Sequence, residues 1–339
     1  MMRASTLVTL VLMAAGNSSS RHSTLMANED ESHVRHLGVD SSQLTDSYVS
    51  TYEIVATFDH DPNAFTQGLA FSAAGTLYES DGLYHQSSVR SVQVNADGTT
   101  STLKSVSLPT TEFAEGITIV GDKLLQITWK EKVMHEYTIN SASPGAHAAP
   151  GSIALATLVA GDLQKVKDHP HDYEGWGLAA DGDKLYTTDG SDQLYTLALS
   201  DRRLISKKTI TDPKLAHKDG TPFSVHGVNE LEMVGGELWG NLYPMYQGSH
   251  SECIARIDPA TGEVKGWIDM HGLFDLQSAR VKSDPSSYVL NGIAYHEPSG
   301  RLYVTGKQWD KMYQVRIKPA PELDAAQIKA KCGLGVAAR

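Results

Sequence analysis

Only two of the 339 residues are cysteine, Cys253 and Cys332, which excludes a disulfide-dense small domain and a multi-cysteine zinc module. Basic residues are outnumbered by acidic ones, the net charge is −11, and no lysine- or arginine-rich block occurs. Nucleic acid and membrane are therefore not expected as partners. Beyond the N-terminus no apolar run is long enough to span a bilayer. A Gly-x-Ser-x-Gly elbow and a phosphate-binding glycine loop are both missing. The Asp-Gly pairs at 81–82, 97–98, 181–182 and 189–190 lack the EF-hand pattern and read as turns. His169-Pro170-His171-Asp172 has no third ligand at regular spacing, and its proline favours a surface turn. Neither a metal nor a cofactor is expected.

The N-terminus carries Arg3, an apolar stretch at 7–15 and the small residues Ala14, Ala15 and Gly16. This is the pattern of a secretory signal peptide over 1–16, with secretion or an endomembrane lumen such as the vacuole as the destination. Residues 17–47 are rich in Ser, His and acids without periodicity and read as a disordered or propeptide segment. The sequon Asn17-Ser18-Ser19 lies too near the expected cleavage point to carry meaning.

From there a three-part phrase recurs five times: a polar entry usually followed by glycine, a Leu-aromatic strand after a glycine turn, and a β-branched or aromatic strand. The entries are Gln67-Gly68-Leu69, Glu115-Gly116-Ile117, Glu174-Gly175-Trp176-Gly177-Leu178, Asn229-Glu230-Leu231 and Asn291-Gly292-Ile293, spaced by 48, 59, 55 and 62 residues. A fourth strand candidate accompanies each phrase, at 52–58, 102–108, 153–159, 204–210 and 264–269. Glycine turns fall at matching places around Gly75, Gly121, Gly182, Gly235-Gly236 and Gly300. Four antiparallel strands repeated at this period predict an all-β, five-bladed β-propeller over 48–318, followed by an Ala-rich tail at 319–339, helical or flexible. Long loops are expected at 160–173, 211–227 and 270–289, all on one face. Cys253 and Cys332 either pair, stapling that tail to the fourth repeat, or remain a buried small residue and a free thiol. Nothing points to an obligate dimer, so a monomer is expected.

Five polar side chains open the phrases: Gln67, Glu115, Glu174, Asn229 and Asn291. Such groups can bind neighbouring repeats together, the reading favoured for Glu174 and Asn291. Aromatics recur nearby at Phe65, Phe113, Trp129, Trp176, Tyr243 and Trp309, and rings at matching strand ends suggest pocket walls. A carboxylate among such rings loses hydration, and its pKa rises toward the working range of a general acid/base. Glu115, two residues after Phe113 and with Trp129 on the next strand, fits best.

The strings Phe65-Thr66-Gln67-Gly68-Leu69, Phe113-Ala114-Glu115-Gly116-Ile117-Thr118, Thr128-Trp129-Lys130 and Glu174-Gly175-Trp176-Gly177-Leu178 resemble the plant and bacterial type of glutaminyl-peptide cyclotransferase. So do Asp189-Gly190-Ser191, Val228-Asn229-Glu230-Leu231-Glu232, Leu290-Asn291-Gly292-Ile293-Ala294 and Val304-Thr305-Gly306-Lys307-Gln308-Trp309, and the matches run in order over about 50–317. The resemblance implies a five-bladed propeller that closes the N-terminal glutamine of peptides or proteins into pyroglutamate and releases ammonia. It implies Glu115 as the catalytic group. Phe65, Gln67, Phe113, Trp129, Trp176, Asn229, Tyr243 and Lys307 would line the substrate pocket. Tyr243 stands where the family carries tryptophan, which keeps an aromatic wall and adds a hydroxyl. A non-enzymatic propeller binding peptide N-termini, or a metal-dependent propeller lactonase, would share the same scaffold.

Overall fold

The computed structural model describes residues 47–139, 163–245 and 251–335. The leader, the sequon, all but the last residue of the 17–47 segment and the strand expected at 153–159 lie outside the described residues.

The repeat phrases fold as antiparallel meanders. The first forms β2 (Thr66–Phe71), β3 (Leu77–Asp81), β4 (Ser88–Val94) and β5 (Thr100–Ser107), hydrogen-bonded in that order. The second forms β6 (Ala114–Val120), β7 (Lys123–Thr128), β8 (Val133–Thr138) and β9 (Gln164–Pro170). The third forms β10 (Leu178–Asp181), β11 (Lys184–Thr188), β12 (Gln193–Ala198) and β13 (Leu204–Thr209). The fourth supplies β16 (Val228–Val234), β17 (Glu237–Leu242), β18 (Cys253–Ile257) and β19 (Val264–Asp269). The fifth supplies β20 (Leu290–His296), β21 (Arg301–Gly306) and β22 (Lys311–Pro319), completed by β1 (Val49–Asp59) from the start of the described chain. The expected turn glycines Gly75, Gly121, Gly182, Gly236 and Gly300 all have positive φ.

The expectation of a five-bladed propeller is corrected by the strand pairing. Among the described residues five separate four-stranded sheets are not formed: the sheets contain eight, four, four, four and two strands. The cause is β1, which runs antiparallel to β22 along most of its length while Val49 and Ser50 pair in parallel with Trp267 and Ile268 of β19. That junction welds the fourth and fifth repeats into one eight-stranded sheet in the order β16-β17-β18-β19-β1-β22-β21-β20. The two-stranded sheet is a hairpin of β14 (Thr211–Asp212) and β15 (Phe223–Ser224), inside a segment expected to be a loop. Among the described residues the fold is all-β apart from α1 (Ala279–Lys282), α2 (Ala325–Lys331) and short 3-10 turns.

A second correction concerns the second repeat. Its outer strand is β9, inside the segment expected to be a loop at 160–173, so His169 and Pro170 end an edge strand rather than occupying a turn. An edge strand tolerates the proline because one side of its ladder is unpaired. The described part of the tail contains a helix: Asp324 caps α2 in a reciprocal capping box with Gln327, and Cys332 at its end is disulfide-bonded to Cys253 on β18.

The first strand of each repeat packs against the first strand of the next, and β20 returns to β2. The apolar residue that closes each entry phrase fills the space between them. Leu69, Ile117, Leu178, Leu231 and Ile293 are each at most 1% exposed. The glycines permit this approach: a Cβ on Gly116 would lie 2.6 Å from the Leu178 nitrogen, and one on Gly177 only 2.0 Å from the Asn229 carbonyl oxygen. Gly177→Ala should therefore cost about 3 kcal/mol of stability by forcing β10 away from β16. Denaturant unfolding measures it, and an unchanged midpoint would show that the strands can separate freely. Where glycine is missing, Glu230 bridges instead: its fully buried carboxylate accepts the backbone N–H groups of Leu69 (3.3 Å) and Ile293 (2.9 Å). Among the described residues no helix is long and apolar enough to cross a membrane.

Candidate active site

The nine residues proposed from the sequence converge because of one feature of the meander. In an antiparallel pair, the start of the first strand lies beside the end of the second. Phe65, Gln67, Phe113, Glu115, Trp176 and Asn229 stand at or just before the starts of β2, β6, β10 and β16. Trp129, Tyr243 and Lys307 directly follow the ends of β7, β17 and β21. Backbone hydrogen bonds pin the latter group: Trp129 donates to Phe113 (3.0 Å), Tyr243 to Gly227 (2.7 Å) and Lys307 to Val289 (2.9 Å).

The polar residues are aimed by β-bulges. In β2 the register skips Gln67; in β6, Glu115 and Gly116 together oppose Ile127 alone. Asn229-Glu230 and Asn291-Gly292 similarly oppose single residues on β17 and β21. A bulge interrupts the ladder and redirects a side chain, which is how four strands with buried faces each present a polar group at the same end. The bulge in β6 is held from behind. Tyr137 donates to Gln126 (2.8 Å), Gln126 to Ser80 (2.8 Å), and Ser80 to the Glu115 carbonyl (2.5 Å).

The aromatic residues form a connected, half-buried wall. Phe113 meets Phe65 (6.2 Å), Trp129 (5.6 Å) and Tyr84 (5.4 Å) edge to face, and Trp176 meets Tyr243 the same way at 5.8 Å. The Lys307 ammonium joins the two groups, 4.9 Å from the Phe65 ring centre and 5.0 Å from that of Tyr243. Trp309 does not belong to this wall: it is fully buried, packs on Phe274 and donates from its indole to the Tyr288 carbonyl. Glu174 accepts the Trp129 indole N–H (3.1 Å), and Asn291 donates to the Gln67 side chain (3.1 Å) and the Thr66 carbonyl (2.9 Å). Both hold wall residues in place.

Burial governs the electrostatics. Glu115 is 4% exposed, and desolvation pushes its carboxyl well above the ordinary value, opposed by Lys307 and reinforced by Glu131 and Glu174. Lys307 is 3% exposed; desolvation lowers its ammonium to about 8, with Glu115 acting in the opposite direction. Three polar atoms here are buried and unpaired among the described residues: Glu115 Oε2, Asn229 Oδ1 and the Trp176 indole nitrogen. One free carboxylate oxygen, one free acceptor, one free donor and a buried cation can together hold an amide and move its protons.

Several contributors were not visible in the sequence. Tyr84 donates to Glu131 (2.9 Å), whose other oxygen accepts the Phe113 backbone N–H (3.2 Å), so the pair fixes Phe113. Leu83, His85, Lys132 and Gln308 adopt positive φ in the loops beside Tyr84, Glu131 and Lys307. Backbone strain of this kind gathers at functional sites, and none of these residue types announces it. Gly190, read as an ordinary turn residue, lies under the Trp176 ring, where a Cβ would come within 2.4 Å. His169 and His171 have separate environments: His169 bonds Glu136 (2.8 Å), while His171 stacks on Tyr173 (4.3 Å between ring centres).

The family model for glutamine cyclotransferase matches residues 25–146 and 154–317. A glutaminyl-peptide cyclotransferase of Arabidopsis thaliana is 35% identical over 286 residues, 84% of this chain and 77% of the plant protein. The crystal structure of Myxococcus xanthus glutaminyl cyclase superposes with a TM-score of 0.63 at 28% identity, covering 81% of this chain and all of that one. The chain belongs to the glutamine cyclotransferase family.

Proposed function

We propose that this protein is a glutaminyl-peptide cyclotransferase that closes N-terminal glutamine into pyroglutamate, with Glu115 as its general acid and base. Family membership and the names of both relatives support the activity. The observation that carries the site is the buried, unpaired and desolvated Glu115 carboxyl among the rings.

In this reading the peptide enters amino end first. The rings fold the glutamine side chain so that its α-nitrogen meets its own γ-carbonyl carbon. A C–N bond forms, the five-membered lactam closes, and the γ-amide nitrogen leaves as ammonia. Glu115 takes a proton from the attacking amine and returns one to the leaving nitrogen. Holding the two ends of one side chain together replaces a bimolecular encounter, worth effective molarities of about 10⁵ M or more. Lys307 is the group for the developing oxyanion, because it is a buried cation, whereas the Gln67 side chain is engaged by Asn291. Asn229 Oδ1 accepts from the substrate amine, and the Trp176 indole donates to a substrate carbonyl. Phe65, Phe113, Trp129 and Tyr243 are the walls. A monomer acting on peptide or protein N-termini suffices. Passage through a secretory compartment is part of the proposal, supported by the apolar N-terminal stretch and by the Cys253–Cys332 bond.

Mass spectrometry of a Gln-initiated peptide incubated with the protein tests the activity. The expected product has lost one ammonia, and an unchanged peptide would overturn the proposal. The role of Lys307 has its own test. Its charge holds Glu115 down, so Lys307→Met should move the acidic limb of the kcat/KM profile to higher pH. The alkaline limb near pH 8, where Lys307 loses its proton, should vanish, with kcat lower by about 10²-fold. An unshifted acidic limb would remove Lys307 from the electrostatics of the site.

A further inference from the structure

The opposite ends of the same first strands enclose a second space. A cavity of about 460 Å³ is lined by the last residues of β2, β10 and β20 (Phe71, Asp181 and His296), together with Glu232, Tyr295 and Glu297. Volumes of a few hundred Å³ are typical of small-molecule sites. The charges in this lining are of one sign: three carboxylates and no lysine or arginine.

Glu232 is the distinctive group. It sits on β16 two residues beyond Glu230, so both carboxylates share a face of the strand. Glu230 has both oxygens engaged by the backbones of β2 and β20. Glu232 differs: the Tyr295 N–H meets one oxygen (2.9 Å), and no other donor reaches it among the described residues. Desolvation pushes its carboxyl up to about 8, so near neutral pH the group keeps its proton unless a cation replaces it. The other titratable groups facing it are Asp181 from β10, Tyr295, His296 and Glu297 from β20 and the turn after it, and Glu230 on its own strand. His296 is held neutral by burial, its Nδ1 is bonded to Ser299 (2.7 Å), and its Nε2 is buried without a partner. None of these supplies positive charge, and Phe71, Tyr295 and Met233 add apolar surface.

We propose that this cavity binds a small organic cation, an amine with an apolar body, its charge on Glu232 and its hydrocarbon against Phe71 and Tyr295. Ammonium alone would leave most of the volume unfilled, and an anion would meet the carboxylates of Asp181 and Glu297 with no cation to offset them. The inference does not rest on the cyclisation chemistry, since it uses the far ends of the strands and none of the residues assigned to it.

Isothermal titration with n-butylammonium chloride, with n-butanol as the uncharged control, tests it on the full chain. Wild type and Glu115→Gln should bind the amine alike, and n-butanol should not bind. Glu232→Gln should weaken binding on the order of tenfold or more, the scale of a lost charged hydrogen bond. The glutamine carbonyl can still accept the Tyr295 N–H, and a melting curve verifies the fold. Asp181→Asn, at the exposed rim, should weaken binding severalfold and serves if Glu232→Gln unfolds. Heats measured at pH 7 in buffers of different ionisation enthalpy should reveal a proton released on binding, and affinity should rise as the pH approaches 8. Binding lost in Glu115→Gln but kept in Glu232→Gln would place the amine in the other site and overturn the proposal. So would unchanged affinity in the cavity variants, or no binding to wild type.

Discussion

Replacing Glu115 with glutamine is expected to lower kcat by about 10²–10⁴-fold, the range that a positioned general acid/base contributes. Glutamine keeps the shape of the side chain, so substrate affinity should change little. Stability should move the other way. A carboxyl whose pKa is raised by folding holds its proton more tightly in the native state than in the unfolded chain, where its ordinary value is 4.5. Its favourable contribution is complete below that value and disappears as pH rises through the folded pKa. Above the unfolded value the shift therefore favours the unfolded chain, and Glu115→Gln should be at least as stable as wild type there. Single-turnover kinetics and melting curves measured together separate the two effects. Near-wild-type kcat in a folded variant would remove Glu115 from the chemistry.

The second large effect concerns the tail. The disulfide joins positions separated by 79 residues and ties α2 to β18. Closing a loop of that size restricts the unfolded chain, and the chain-entropy model gives about 4 kcal/mol. Cys332→Ser should lose that amount. At roughly 2–4 °C per kcal/mol for a chain of this size, melting falls by about 10 °C. Wild type in reductant should melt like the variant. Equal melting temperatures with and without the bond would show that the tail is held by packing alone, through Ile328 and Leu334 in the core beside Cys253.

The strand-level organisation was legible because it depends on local chemistry. Alternating and β-branched segments marked most of the strands, and the glycine turns fell where positive φ is found. Two features resisted for physical reasons. The junction of β1 with β19 is a parallel contact between residues more than two hundred positions apart, and nothing in Val49-Ser50 names its partner. The outer strand of the second repeat is β9, a polar stretch of Gln, Lys, Asp and His whose exposed edge needs no hydrophobic pattern.

The candidate site divides along the same line. The sequence by itself determined the residue types at each strand end, and with them the family: a carboxylate, a lysine, amides and rings, with glycine after four of the five polar entries. It also held the alternation that makes those strands all-β. The tertiary structure decided which of these groups act together. It gave Glu174 and Asn291 to the support of Trp129 and Gln67, sent Trp309 into the core, and brought Tyr84 and Glu131 to Phe113. It paired Cys253 with Cys332 where the sequence left two outcomes open. It also left Glu115, Asn229 and Trp176 each with an unpaired buried atom. Burial and hydrogen-bond partnership belong to contacts between strands far apart in the chain. A pKa, a free oxygen or a bulge that turns a side chain inward exists only once those strands meet.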